Sequence, residues 1–416
     1  MMMRGCLPYT AGPLCLLIVL CADAQEWTRF RGPNGSGVSD ATTVPVKWTE
    51  KDYNWKVKLP GVGHSSPVLW GERIFIAAGE EETGKRLVCC LRAQDGSKVW
   101  QREFAGEKHG KHTDNSFASA TPAVDERHVY VCWGTPKEFI VLALDHDGKE
   151  IWRTDLGPFR SGHGFGASPI VHDDLVVVPN DQDGKGTLLA LDRKTGDLRW
   201  KVPRKSQTAT FSTPCVFQPK GGLAQLIFTS WDHGITSIDP KTGRVNWEGD
   251  IFSKGHIETS IASPIVAGDL VLGTSGWLGV KMEVVAIRPG ADQKKSPSEA
   301  YRLVRSAPLV CTPVVKDDLL FIWSDNGVVT CANVESGEVY WRERVPGSYY
   351  GSPVVVGKCV YCISREGDVI VLAASKKFEL LARNRLGEGS HSTPAVAGGA
   401  MYLRMYSQLI SVGGKN

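Results

Sequence analysis

The sequence predicts an all-β protein, an eight-bladed β-propeller of four-stranded blades. Three observations carry that expectation. A Ser/Thr-Pro pair followed by a short apolar run recurs eight times, at Ser66-Pro67, Thr121-Pro122, Ser168-Pro169, Thr213-Pro214, Ser263-Pro264, Thr312-Pro313, Ser352-Pro353 and Thr393-Pro394. Successive prolines are 55, 47, 45, 50, 49, 40 and 41 residues apart, which is the period of a propeller blade. Within each interval lie short β-rich runs separated by turn residues, and no stretch sustains a helical period.

Composition agrees with a repeat and excludes several functions. Among 416 residues, 45 glycines ask for many tight turns and 13 tryptophans for many places to bury a large ring. Hydrophobic residues at 42% and charged residues at 22% exclude a disordered chain. The 48 basic and 45 acidic residues leave a net charge of +3 with no lysine or arginine block, so nucleic acid is not an expected partner. There is no Gly-x-Ser-x-Gly elbow, no His-Glu-x-x-His and no P-loop, so serine hydrolase, zinc protease and nucleotide hydrolase lack their parts.

Taken in chain order, residues 1–24 read as a signal peptide. Arg4 supplies the positive start, residues 14–20 an apolar core too short to span a bilayer, and Ala22-Asp23-Ala24 a cleavage signal. The expected product is exported to a periplasmic or extracellular compartment, begins at Gln25, carries no transmembrane segment and is a monomer. Cys21 offers a thiol for a lipoprotein anchor, but the bulky Leu20 before it argues against lipidation. Residues 25–53, with Phe30-Arg31-Gly32-Pro33, are expected as an irregular arm laid over the ring, and residues 54–416 as one propeller. The most regular element is a Gly-x-x-x-Trp spacing at the last turn and strand, at Gly96/Trp100, Gly148/Trp152, Gly196/Trp200, Gly243/Trp247 and Gly337/Trp341. The glycine suits the φ > 0 position of the hairpin, and the indole packs on the next blade. Blade 5 departs from the pattern with Tyr301, and blade 7 with Phe378-Glu379-Leu380-Leu381. After Thr393-Pro394 only three strands remain. The fourth is expected from the N-terminal side, because Asn54-Trp55-Lys56-Val57-Lys58-Leu59-Pro60-Gly61 matches the run from Tyr340-Trp341 to Pro346-Gly347. That 3+1 closure protects the sheet edges. Trp55, Trp100, Trp152, Trp200, Trp247 and Trp341 are thereby assigned to one structural docking position.

The run Ala190-Leu191-Asp192-Arg193-Lys194-Thr195-Gly196-Asp197-Leu198-Arg199-Trp200 resembles the tryptophan-docking motif of the pyrroloquinoline-quinone-like (PQQ-like) repeat propellers, and the resemblance covers about residues 54–416. That family includes quinoprotein alcohol dehydrogenases and non-catalytic propellers such as the outer-membrane assembly lipoprotein. The resemblance therefore implies two readings. In the first, the chain is a non-catalytic binding or assembly module acting on a protein or small-molecule ligand through its loop-lined mouth, with no cofactor and no metal. In the second it is a PQQ-dependent dehydrogenase of an alcohol or polyol, using PQQ and Ca²⁺ with Asp232 or Asp325 as base, and with an adjacent-cysteine disulfide packed on the quinone.

The cysteines and loop lengths favour the first reading. Aligning the turns places Cys89 at the Leu189 position and Cys90 at the Ala190 position, inside a third strand, and Cys331 falls on that same site in blade 6. They read as small buried hydrophobes. Cys359-x-x-Cys362 lies in an alternating run whose i and i+3 positions face opposite sides, a poor metal clamp. Only residues 105–120 and an insertion near residues 290–300 are sizeable loops, which leaves little sequence for a calcium site and a lid.

Strand direction puts the loop after each Trp strand and the loop between the second and third strands on one face. The first set brings His64, His109, His112, Asp114, Asn115, His163, His256, Glu258 and His391 to the mouth. The second brings Trp231, Asp232, His233, Trp323, Asp325, Arg365 and Arg404. Trp231 and Trp323 have two readings: they floor a planar cofactor or capture a saccharide, or they cap the apolar strands they follow.

Overall fold

The computed structural model describes residues 26–253, 260–276, 282–290, 296–305 and 307–414. Residues 1–25, where the signal peptide is expected and where Cys21 falls, lie outside the described residues. Eight antiparallel sheets form a closed ring, and each blade begins just after one of the eight Ser/Thr-Pro pairs. In blade 3, for example, Ile170–His172 is the inner strand, followed by Leu175–Asn180, Gly184–Asp192 and the outer strand Leu198–Ser206. The second strands are buried on both faces, as at every position of Leu175–Asn180, and are rich in β-branched residues because a blade is covered by a neighbour on each side. Outer strands alternate toward water, as in Glu150–Asp155.

The ring closes as the sequence predicts. Tyr53–Lys58 pairs antiparallel with Gln408–Gly413, with Trp55 opposite Ser411 and Val57 opposite Leu409, and forms the outer strand of blade 8.

The docking position is a joint between blades. The indole Nε1–H of Trp55 donates to Ala93 O at 2.9 Å, Trp100 to His146 O at 2.7 Å, Trp152 to Arg193 O at 3.1 Å, Trp200 to Pro240 O at 2.7 Å and Trp341 to Ser375 O at 3.0 Å. Each acceptor lies in the last turn of the following blade. Trp247 instead donates to Gln225 Oε1 in its own blade, and Tyr301 fills the position in blade 5, its hydroxyl donating to Val334 O at 2.8 Å. The glycine of the motif receives the preceding blade's ring. A Cβ on Gly196, where φ is +76°, would lie 2.6 Å from the Trp152 ring, and one on Gly96 would lie 2.7 Å from Trp55. Each outer strand shifts register beside this position, a bulge that turns the ring off its own sheet. The residue paired with the tryptophan is small, as in Cys90 with Trp100, Ala190 with Trp200 and Cys331 with Trp341. Cys89 and Cys90 are free, buried and directed into different core clusters, as neighbours in a strand must be.

Only the second part of the arm is laid over the ring, with Thr43 Oγ1 on Gly399 O in blade 8 and Trp48 N on Asn384 Oδ1 in blade 7. Residues 26–39 instead enter the central channel. Trp27 O accepts from Leu69 N in blade 1, Thr28 O from Val124 N in blade 2, and Gly37 O from Val355 N in blade 7. Asn34 exchanges two bonds with Val216 in blade 4. Val38–Ser39 adds a parallel strand to the inner edge of blade 7. Arg31 is fully buried and donates to five main-chain carbonyls, those of Gly35, Ser36, Thr312, Pro313 and Pro353. Arg29 donates to Pro214 O. Such chemistry suits the channel, where the inner strands expose carbonyls that only a long polydentate donor can reach together.

Candidate functional site

The inner ends of the eight blades surround a cavity of about 330 Å³ on the axis. Its throat is the ring of Ser/Thr residues that set the repeat: Ser66, Thr121, Ser168, Thr213, Ser263, Thr312, Ser352 and Thr393 all line it. The N–H of Ser66 donates to Thr121 Oγ1 at 2.9 Å, and the same bond joins Thr121 to Ser168, Thr213 to Ser263, Ser263 to Thr312, Thr312 to Ser352, Ser352 to Thr393, and Thr393 to Ser66. These bonds stitch seven of the eight blade junctions. The proline that follows each residue favours the extended backbone this geometry needs.

A second ring stands above the first. The residue two places before each Ser/Thr also lines the cavity: His64, Ser119, Gly166, Phe211, Ile261, Val310, Tyr350 and His391. The residue between them is small in every blade, Ser65, Ala120, Ala167, Ser212, Ala262, Cys311, Gly351 and Ser392, because adjacent inner segments approach closely there. The lower ring is constant and structural, whereas the upper ring varies from blade to blade. Phe30 of the arm lines the cavity from the channel side and closes it.

One wall of the mouth is polar. The loop of residues 105–120 carries Asp114 across to blades 7 and 8, where Arg365 Nη2 donates to its Oδ1 at 2.5 Å and the Tyr350 hydroxyl to its Oδ2 at 3.2 Å. The Arg365 guanidinium lies 4.3 Å over the Tyr350 ring, and its Nε donates to His391 Nε2 at 3.3 Å. His391 is 4.3 Å from the His64 ring, and His112 is 5.2 Å from His163. Burial, then the neighbouring His391, pushes the His64 pKa down to about 2. His391 is lowered by burial and by Arg365, and His163 by burial and by His112. Burial, then Asp114, raises the Tyr350 phenol.

The sequence-selected residues thus divide. His64, His112, Asp114, Asn115, His163 and His391 line the cavity, and Arg365 braces them. The two tryptophans do not floor it. Trp231 is buried in the blade 4 core and Trp323, fully buried, packs 5.2 Å from Tyr349 in blade 6, since each ends an apolar strand and continues its burial. Neither can present a face to a planar ligand or a saccharide. Asp232 accepts from the main chain and side chain of Gln207. Asp325 is buried and accepts from Leu309 N at 2.6 Å and Val310 N at 2.9 Å, which fixes the loop that supplies Val310. Desolvation raises its pKa against those amides. His109 sits against Phe117, and His233 bonds Glu248. Arg404 is buried between blades 8 and 1 with Nη1 on Ser65 and Ala77. His256 and Glu258 lie outside the described residues. Phe30, Phe211, Ile261 and Val310 were missed because apolar residues read as core; the signal for the last three was their fixed offset from each Ser/Thr-Pro pair.

Calcium prefers several convergent oxygen ligands. Among the described residues Asp114 is the only carboxylate lining the cavity, and it is already held by Arg365 and Tyr350. Among the described residues no group of three or more His, Cys, Asp or Glu side chains could hold a metal ion. Cys89 and Cys90 do not reach the cavity. The described residues therefore do not fit a quinone with its calcium.

The ring of docking tryptophans defines a PQQ-like repeat β-propeller. The family model described as outer membrane protein assembly factor BamB matches residues 48–134, 93–291 and 281–404, and the chain belongs to that family. It is 22% identical over 368 residues to the outer membrane protein assembly factor BamB of Yersinia pestis, covering 86% of this chain and 78% of the relative. It is also 24% identical over 273 residues to the lanthanide-dependent methanol dehydrogenase of Methylorubrum extorquens, covering 56% of this chain and 43% of that enzyme. Among solved structures, BamB from Moraxella catarrhalis superposes with a TM-score of 0.61 at 15% identity, over 87% of this chain and 96% of that one. Quinohemoprotein alcohol dehydrogenase from Comamonas testosteroni gives 0.68 at 12% identity, over 94% and 81%. These two likenesses show the fold alone.

Proposed function

We propose that this chain is an exported, monomeric, non-catalytic propeller that serves as a binding or assembly module at the outer membrane, engaging its partner through the mouth. Membership of the family whose model is named for an outer membrane assembly factor supports the reading. The observation that carries it is the engagement of the acids. Asp114, Asp232 and Asp325 are each held by Arg365 and Tyr350, by Gln207, and by the amides of Leu309 and Val310, so none is poised as a general base. Among the described residues no helix is long and apolar enough to cross a membrane. In this reading residues 1–24 direct export and are removed after Ala24, giving a chain that begins at Gln25.

The competing reading, a quinone-dependent alcohol dehydrogenase, predicts a different outcome on adding PQQ and Ca²⁺ to purified protein. We expect no dye reduction by alcohols; turnover would overturn the proposal. A photoreactive residue at His112, in the mouth, should cross-link a periplasmic protein that the same residue at Leu223, in an exposed turn between the first two strands of blade 4, does not. Equal cross-linking from both positions would remove the mouth from the proposal.

A further inference from the structure

The throat hydroxyls are used from one side only. The oxygens of Ser66, Thr121, Ser168, Ser263, Thr312, Ser352 and Thr393 each accept a neighbouring blade's amide, yet among the described residues none of the seven donates its own proton to a protein acceptor. All seven residues are more than nine-tenths buried and all line the cavity. A buried hydroxyl is satisfied when it both donates and accepts, so these protons are available to whatever occupies the throat.

The charge next to the throat has one sign. Arg29 and Arg31, on either side of Phe30, are buried and donate to main-chain carbonyls, several of them on the throat residues or the prolines that follow. Among the described residues neither has a carboxylate within salt-bridge distance, whereas the buried Arg204 has Asp181 at 3.1 Å. Burial lowers Arg31 to about 9 and Arg29 to about 10, so both remain charged at neutral pH. Two cations without a counter-ion among the described residues, in a low-dielectric channel on either side of the Phe30 that closes the cavity, project a positive potential into it. Among the described residues the single acid in the lining, Asp114, is paired at the rim with Arg365. Above the throat, Phe211, Ile261 and Val310 form an apolar arc, and about 330 Å³ falls within the size of small-molecule sites.

We infer that the throat binds the carboxylate of a small organic acid, received by the ring of hydroxyl protons above Arg29 and Arg31, with the apolar body of the acid against Phe211, Ile261 and Val310. This rests on the reading of the mouth as a binding face and gives that face a ligand class. It is tested by calorimetry on the full mature chain with 3-phenylpropionate, 3-phenylpropionamide and 3-phenylpropylamine, which share a body and differ in head-group charge. The acid should bind at least about tenfold more tightly than the amide, because charge-assisted hydrogen bonds are roughly twice as strong as neutral ones, and the amine should bind least. Thr312→Val should weaken the acid about fivefold and the amide by less, one hydroxyl contributing about that factor to a charged head group. Thr213→Val, whose hydroxyl stitches no blade junction among the described residues, should do the same and guards against a folding defect in the first variant. Equal affinity for acid and amide, tighter binding of the amine, no binding of any probe, or an unchanged acid affinity in both variants would overturn the inference. Cross-linking from His112 is read separately, so the carboxylate site can fail while the binding face stands.

Discussion

At the scale of single residues, the mouth histidines tie stability to pH. His64 titrates near 2 in the folded chain but near 6.5 when unfolded. Below pH 6.5 the unfolded chain takes up a proton that the folded chain refuses, so stability is full above that pH and falls below it. The slope from His64 is about 1.4 kcal/mol per pH unit, and the lowered His391 and His163 act in the same direction. The urea midpoint should drop between pH 7.5 and 5.5. His64→Phe, which keeps a ring against His391, should flatten that dependence, and an unaltered slope would remove His64 as its source. The residues of this wall stood out in the sequence because polar side chains recur in loops of one orientation. Their neighbours Phe211, Ile261 and Val310 did not, since an apolar side chain in a loop has no local mark that separates a cavity wall from a core. Trp231 and Trp323 show the converse: a large amphipathic ring at a strand end looks available, and here each caps its strand and packs against the following blade.

At the scale of elements, the outer strand of one blade and the last turn of the next form a plug and socket wherever the docking ring is present. The spacing of glycine and tryptophan was plain in the sequence, but the glycine's second duty was hidden, because the ring it receives belongs to the preceding blade. Substitution separates its two roles. Gly71 has φ +55° and open space where a Cβ would go, so Gly71→Ala should cost only the left-handed backbone penalty of about 1–2 kcal/mol. Gly196→Ala adds a Cβ 2.6 Å from Trp152 and should cost at least about 2 kcal/mol more, because the ring must leave its seat. Chemical denaturation of the two variants measures the difference, and equal losses would deny the glycine its packing role. Cys90 and Cys331 belong to the same device, filling the small position opposite a docking indole that Ala190 fills in blade 3.

At the scale of the whole molecule, the blade count and the 3+1 closure were legible because each follows from local repeats, whereas the course of the arm was not. Residues 26–39 match no repeat, and their partners lie as far as 322 residues along the chain, as in Arg31 to Pro353. Arg31→Met should strand several channel carbonyls and destabilise the protein by roughly 3 kcal/mol or more, against about 1 kcal/mol for Asn34→Ala at the exposed bonds to Val216. Hydrogen exchange at the inner strands of blades 6 and 7 should speed up in the first variant, and unchanged exchange there would contradict a clamp. The threaded arm also sets an order of events. It is made before any blade, yet its seat is bounded by inner strands of blades 1, 2, 4, 6 and 7, and the strand just after it waits for residues 408–413. The earliest segment therefore reaches its native place among the last, after nearly the whole chain has been delivered, and until then the half-built ring holds open both a channel and a pair of sheet edges. Folding through contacts of such separation is slow and prone to side reactions. A chain of this design depends on being kept apart from its own copies during assembly, whatever the final stability of the closed ring.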